Sequence, residues 1–146
     1  MHIAIINGPN LNLLGKREVS VYGFQSFDTY LQALKPLYPQ INFTYFQSNV
    51  EGEIINAIQQ YGFSATGIII NAGGYSHTSV AIGDAVKAIT APAIEVHISN
   101  IYSREGFRHH SYLSAVCKGC IVGLGLKGYE LAVQYLLSSH KLTVYQ

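Results

Sequence analysis

Five short apolar runs recur along the chain, and each is followed by polar turn residues and then by a stretch of helical length. β-branched residues dominate the runs and do not alternate strictly with polar ones, which is typical of strands buried on both faces. The pattern predicts strands over residues 3–6, 41–46, 67–70, 93–98 and 119–122.

The amphipathic stretches between these runs predict four helices, over residues 27–34, 51–60, 78–89 and 129–137. Ser26 is a good N-cap for the first of them, and Pro36 ends it. Strands that alternate with helices through short links indicate a parallel sheet covered on both faces. Right-handed crossovers then give a three-layer α/β fold of the flavodoxin-like type, with a five-stranded parallel sheet. The length of 146 residues predicts one domain, over residues 1–146.

Two segments lack a regular period. Residues 8–24 show neither a helical nor a strand pattern, and a loop of this length in a compact domain is usually a lid or a binding loop. We predict the lid over residues 15–24. Residues 100–114 are also irregular and carry several Arg and His residues. A tail over residues 138–146 follows the last predicted helix.

Composition and charge exclude several classes of protein. Charged residues make up 12% of the chain, about half of the usual ~25%, which argues against disorder. The same low value suggests that other subunits cover part of the surface, as in a homo-oligomer. Nine Lys and Arg residues against eight Asp and Glu residues give a net charge of +1, so neither nucleic acid nor a membrane surface is an expected partner. No signal peptide or membrane-spanning run is visible, which predicts a cytoplasmic protein.

Candidate chemistry collects where the predicted strands end. Ligands of open parallel sheets bind beyond the carboxyl ends of the strands. The polar candidates there are Asn7, Asn10 and Asn12 after the first strand, Asn71 and His77 after the third, His97, Ser99 and Asn100 after the fourth, and Arg17, Tyr22 and Arg108 in the irregular segments. Such neutral hydrogen-bonding groups with a few cations and imidazoles suit a small, polyhydroxylated, anionic ligand.

Two pairs of residues suggest acid–base catalysis. Strand alternation places Glu95 and His97 on one face, where the carboxylate can orient the imidazole as a general acid. The alternative is a half-buried structural histidine. Arg17 lies in the same predicted lid as Tyr22, and a guanidinium beside a phenol lowers the phenol's pKa. The alternative for Tyr22 is simple packing, as expected for most of the 11 tyrosines.

Three further patterns are interpreted as having no cofactor or metal function. Residues 123–128 match G-x-G-x-x-G, but no acidic residue follows about 20 positions later to bind a ribose. Cys117 and Cys120 form C-x-x-C but precede a strand, and no second pair completes a zinc site. The His and Asp spacings fit no metal motif. A flavin- or phosphate-binding module and a metal hydrolase remain as alternative functions.

Several blocks together resemble type II 3-dehydroquinate dehydratases. The blocks are residues 7–15 (NGPNLNLLG), 17–18 and 22–23, 47–52 with its Gln-Ser-Asn and Glu-Gly, 71–79, 95–100 (EVHISN), 104–111 and 119–125. They extend the resemblance from residue 1 to about residue 137. One departure is Val19, where the family commonly has proline after Arg-Glu.

The resemblance implies the reversible dehydration of 3-dehydroquinate to 3-dehydroshikimate, in the shikimate pathway or in quinate breakdown. It also implies a flavodoxin-like fold, no cofactor, and a dodecamer built from four trimers. Tyr22 would be the general base, with Arg17 as its activator. His97 would be the general acid, and a water held near Asn12 and Pro9 would stabilise an enolate oxygen.

The resemblance also implies how the substrate is bound. Ile98 and Ser99 would bind its carboxylate through backbone N–H and hydroxyl groups. The ring hydroxyls would be recognised by Asn71, His77 and Arg108. Asp84 would reach the active site of a neighbouring subunit.

Overall fold

The computed structural model describes residues 1–16, 20 and 24–144. Its five strands are β1 (His2–Asn7), β2 (Asn42–Gln47), β3 (Gly67–Asn71), β4 (Ala93–His97) and β5 (Gly119–Val122). They pair in parallel in the order β2-β1-β3-β4-β5. This is the flavodoxin-like order, so the predicted fold class is confirmed. Each observed strand lies within one residue of its predicted bounds.

Among the described residues from Ser26 onward, the α-helices are α1 (Phe27–Leu34), α2 (Glu51–Tyr61), α3 (Val80–Ala88) and α4 (Lys127–Val144). α1 begins as predicted, because the Ser26 hydroxyl accepts a hydrogen bond from the backbone N–H of Thr29. α3 begins later than predicted, because the Ser79 hydroxyl caps it through the N–H of Ile82. Within the described part of the chain, no helix is long and apolar enough to cross a membrane.

α4 is longer than predicted at both ends. Residues 138–144, which were expected to form a tail, continue this helix. No glycine or proline follows residue 137 to end the helix. The two serines there fit into the helix because their hydroxyls bond back to it. Ser138 and Ser139 each donate a hydrogen bond to the carbonyl three residues earlier.

Side chains of the central strands alternate between two apolar cores. Ile3 and Ile5 of β1 lie in the core beneath α1 and α4. Ala4 and Ile6 lie in the opposite core, beneath α2 and α3. β1 is therefore buried on both faces, which explains its continuous apolar sequence and the three layers of the fold.

The two irregular segments contain short 3-10 turns that the sequence pattern does not reveal. One spans Leu11–Leu13, and the other two span Ile101–Ser103 and Gly106–His109. Leu11, Ile101 and Leu113 are buried. These apolar side chains anchor the loops to the body of the domain.

Strands β1 and β3 end side by side at the point where the strand order reverses. Asn7 pairs with Asn71, and the N–H of Gly8 donates to the Asn71 carbonyl at 2.7 Å. A Cβ atom on residue 8 would lie 2.4 Å from the carbonyl oxygen of Ala72, so only glycine fits this close approach. In this fold, the reversal point is where a ligand crevice forms.

Tyr129 of α4 links that point to the helical layer. Its hydroxyl donates to Asn7 Oδ1 at 2.8 Å and accepts from Asn71 Nδ2 at 3.0 Å. All three side chains are buried. Burial raises the pKa of Tyr129, so its hydroxyl remains protonated and can make both bonds.

We expect Tyr129→Phe to lower the free energy of unfolding by roughly 2–4 kcal/mol, because Asn7 Oδ1 and Asn71 Nδ2 each lose a buried hydrogen bond. Urea denaturation at one fixed protein concentration measures the change. Tyr135→Phe, on the half-exposed side of the same helix, is the control and should change little. A loss no larger than that of the control would contradict a structural role for the Tyr129 hydroxyl.

Candidate active site

A cavity of about 140 Å³ opens at the carboxyl ends of β1, β3 and β4. It lies at the reversal of strand order, where the fold class places its ligands. Most predicted binding residues line it together. They are Pro9, Asn10, Asn71, His77, His97, Ile98, Ser99 and Arg108.

His97 and Glu95 form a buried pair beneath this cavity. His97 Nε2 lies 2.7 Å from Glu95 Oε1, and the side chains are 5% and 0% exposed. The prediction that strand alternation brings them together is confirmed. Because an ionised carboxylate can only accept, Nε2 carries the proton, and Nδ1 is the ring nitrogen not bonded to Glu95. When His97 gains a second proton, Nδ1 becomes a donor and the positive ring lies against the carboxylate.

Two serines hold the same carboxylate. Ser111 donates to Glu95 Oε1 at 2.6 Å, and Ser114 donates to Oε2. Burial alone would raise the pKa of Glu95, but the hydrogen bonds from His97, Ser111 and Ser114 outweigh it and hold the pKa below its ordinary value. Glu95 is therefore ionised near neutral pH. The serines were not predicted as part of the site.

Cys120 lies beside this pair on β5, in register with Glu95. Ligand atoms of Glu95, His97 and Cys120 lie within 4.8 Å of one another, and among the described residues they form the one such group. Burial and the negative charge of Glu95 raise the pKa of the Cys120 thiol to about 12, so it is protonated near neutral pH. Both Glu95 oxygens already accept hydrogen bonds. Hydrogen bonds from His97, Ser111 and Ser114 account for the arrangement around Glu95.

His77 is placed to accept a hydrogen bond from a ligand. Its Nδ1 lies 2.7 Å from the carbonyl oxygen of His110, so Nδ1 donates and Nε2 carries no proton. Burial lowers the pKa of His77, and the neighbouring His97 and Arg108 lower it further. The neutral ring stacks on His97 at 5.8 Å between centroids. A ligand hydroxyl is the natural donor to Nε2.

Two arginines define the cationic side of the cavity. Arg104 Nη1 donates to Ser99 Oγ at 3.2 Å. Arg108 Nε donates to Glu105 Oε2 at 2.7 Å, and the same oxygen lies 3.7 Å from Arg104 Nε. Arg108 was predicted, whereas Arg104 was not. The signal that could have found it is the short span after Ser99, which the 3-10 turn Ile101–Ser103 folds back to the cavity.

Two residues to which the resemblance gives a role, Asn12 and Asp84, are not among those that line the cavity. Asn12 is exposed, and its Oδ1 accepts from Gln47 Nε2 at 3.4 Å. Asp84 is exposed on α3. Arg17 and Tyr22 lie outside the described residues. The roles of these four stay predictions.

Comparisons with known proteins agree with this geometry. Residues 1–137 match the family model described as dehydroquinase class II. A 3-dehydroquinate dehydratase of Fusobacterium nucleatum is 54% identical over 143 residues, which cover 94% of this chain and 97% of that protein. One from Bacillus subtilis is 51% identical over 141 residues, covering 94% of each chain.

The crystal structure of the type II dehydroquinase from Butyrivibrio crossotus has a TM-score of 0.89 and 46% identity to this chain. It covers 93% of this chain and 97% of that one. The chain therefore belongs to the class II dehydroquinase family, and it is an enzyme of that family. The predicted resemblance is confirmed.

The bonds to Glu95 make stability depend on pH in a defined direction. The pKa of Glu95 is lower in the folded chain than its ordinary value of 4.5, so the unfolded chain binds the proton first as the pH falls. Stability from this group is present above pH 4.5 and is lost as the pH falls through the folded pKa. We expect Glu95→Gln to have a shallower acid limb than the wild type, by up to ~1.4 kcal/mol per pH unit.

Urea denaturation between pH 3 and pH 8, at intervals of about half a unit, measures both profiles. Each profile is normalised to its own value at pH 8, which removes the constant cost of the substitution. Parallel acid limbs would mean that the carboxylate is not stabilised by these bonds.

Proposed function

We propose that this enzyme catalyses the reversible dehydration of 3-dehydroquinate to 3-dehydroshikimate through an enolate, in the shikimate pathway or in quinate breakdown. The observation that carries the proposal is the buried Glu95–His97 pair at a cavity whose rim holds Ser99 and two arginines. The substrate carries a carboxylate, a ketone and several hydroxyls. The cavity offers hydrogen-bond donors for the carboxylate, and both donors and acceptors for the hydroxyls.

Proton removal is assigned to Tyr22. The phenolate takes a proton from the carbon beside the ketone, and the electron pair moves onto the ketone oxygen to give the enolate. A phenol has an ordinary pKa of about 10, so Arg17 is assigned the role of favouring its anion. A water held near Asn12 and Pro9 donates to the enolate oxygen, which lowers the cost of the charge in a site shielded from solvent.

Loss of the hydroxyl is assigned to His97. As the enolate collapses, the bond between carbon and the tertiary hydroxyl breaks, and protonated His97 donates its Nδ1 proton so that water leaves. Glu95 supports this role, because its hydrogen bond fixes the ring orientation and places a negative charge beside the imidazolium. No cofactor takes part.

Recognition of the substrate is assigned to the rest of the cavity. The backbone N–H of Ile98 and the hydroxyl of Ser99 bind the carboxylate. Asn71, His77 and Arg108 bind the ring hydroxyls. Asn71 is well held for this purpose, since its Oδ1 accepts from the Gly73 N–H at 3.1 Å and its Nδ2 bonds Tyr129.

We assign Asp84 to the active site of a neighbouring subunit, in a trimer that assembles further into a dodecamer in the cytoplasm. Support comes from the surface of α3. Asp84 is exposed there, and Val80, one turn earlier on the same face, is 55% exposed. Both side chains are accessible to a second copy of the chain, as this assignment requires.

Tyr22→Phe tests the base. We expect kcat to fall by at least about a hundredfold, because phenylalanine cannot take the proton, while substrate still binds. The ultraviolet absorbance of the conjugated enone product measures turnover. Tyr135→Phe on α4, which does not line the cavity, is the control and should leave kcat unchanged. Near-normal turnover by Tyr22→Phe would show that another group is the base.

His97→Gln tests the acid. Glutamine can still donate a hydrogen bond to Glu95, but it cannot donate a proton to a leaving hydroxyl. We expect kcat to fall by about a hundredfold or more with a smaller change in KM. A change confined to KM would mean that His97 only binds the substrate.

A further inference from the structure

We propose that Arg104 is a positioning residue for substrate binding, and that it acts by directing the hydroxyl proton of Ser99 toward the substrate carboxylate. This inference rests on the proposed function and assigns a role to a residue that the sequence pattern does not single out. Its basis is the hydrogen bond between the Arg104 guanidinium and Ser99 Oγ at the rim of the cavity.

The geometry fixes the donor and the acceptor. A guanidinium has only N–H donors, so in the 3.2 Å contact Arg104 Nη1 donates and Ser99 Oγ accepts. A serine hydroxyl has one proton and two lone pairs. With one lone pair facing Arg104, the proton points away from the guanidinium. Both side chains line the same cavity, so the proton is directed to a ligand that approaches from it.

The positive charge of Arg104 adds to this effect. A hydroxyl that accepts from a cation is polarised and becomes a better donor to an anion, because hydrogen bonds in a chain strengthen one another. Arg104 is 24% exposed, so water screens its charge only in part. A carboxylate is the ligand that gains most from a hydroxyl polarised in this way.

Glu105 is a charged neighbour of Arg104. Its Oε2 lies 3.7 Å from Arg104 Nε and 2.7 Å from Arg108 Nε. Both contacts involve the inner nitrogen of a guanidinium. The hydrogen bond to Ser99 uses a different nitrogen of Arg104, the terminal Nη1, so the ion pair and this hydrogen bond do not compete for one donor.

A double-mutant cycle tests the proposal through the steady-state kinetics of 3-dehydroquinate dehydration. The variants are Arg104→Met, Ser99→Ala and the double variant. We expect Arg104→Met to raise KM about tenfold and to change kcat less than about threefold, because it removes a bond that helps bind the substrate. In the Ser99→Ala background, the same substitution should raise KM less than about twofold, because the hydroxyl on which Arg104 acts is gone.

Two further variants separate positioning from general effects. Arg104→Lys keeps a charged donor and should restore KM to within about threefold of the wild type. Lys118→Met removes one positive charge just before β5, at the opposite end of the sheet, and should leave KM unchanged. If Arg104→Met does not fold, Arg104→Ala takes its place in the cycle.

The proposal would be overturned if the two substitutions acted independently. The increase in KM of the double variant would then be the product of the increases in Arg104→Met and Ser99→Ala. A loss of kcat with an unchanged KM would overturn it as well. Failure of the proposed function gives a different result, since the wild-type enzyme itself would then produce no enone from 3-dehydroquinate.

Discussion

The hydrogen bond between Glu95 and His97 is the constraint on which the site depends. Glu95 is completely buried, and a buried carboxylate is stable only when donors surround it. One donor is the catalytic candidate itself, and two are serines of the segment that follows β4. The position of that segment over the sheet and the orientation of the imidazole are therefore coupled through one carboxylate. Loss of the imidazole would remove one donor from Oε1, and loss of the segment would remove the serine donors from both oxygens.

At the reversal of strand order, other polar groups are also held by buried hydrogen bonds. Asn7 and Asn71 end adjacent strands, and the buried hydroxyl of Tyr129 joins them to α4. Gly8 lets the two strand ends approach each other closely. The crevice is a general property of this strand order, whereas the amides, imidazoles and guanidiniums around it are particular to this chain. These groups determine which ligand the crevice accepts.

Much of this could be predicted from the sequence because the strands have strong, simple patterns. Continuous β-branched runs identified all five strands, and alternation along β4 placed Glu95 on the same face as His97. The 3-10 turns could not be predicted, because they depend on tertiary burial of single residues such as Leu11 and Ile101. Ser111 was missed because its partner Glu95 lies in a strand, and Arg104 was missed because its contact with Ser99 depends on the 3-10 turn between them. The length of α4 was underestimated because serines rarely continue a helix unless they bond back to it.

The central claim is that Glu95 fixes the tautomer of His97, so that Nε2 carries the proton in the neutral ring and Nδ1 gains one only when the ring becomes an acid. Nitrogen-15 chemical shifts of the His97 ring report which nitrogen is protonated. They are measured in the ligand-free enzyme, at a pH high enough for the ring to be neutral. The account predicts a protonated Nε2 and a bare Nδ1, with this preference lost in Glu95→Leu, which has no acceptor for Nε2. A neutral ring protonated at Nδ1, or a tautomer that does not change in Glu95→Leu, would contradict it.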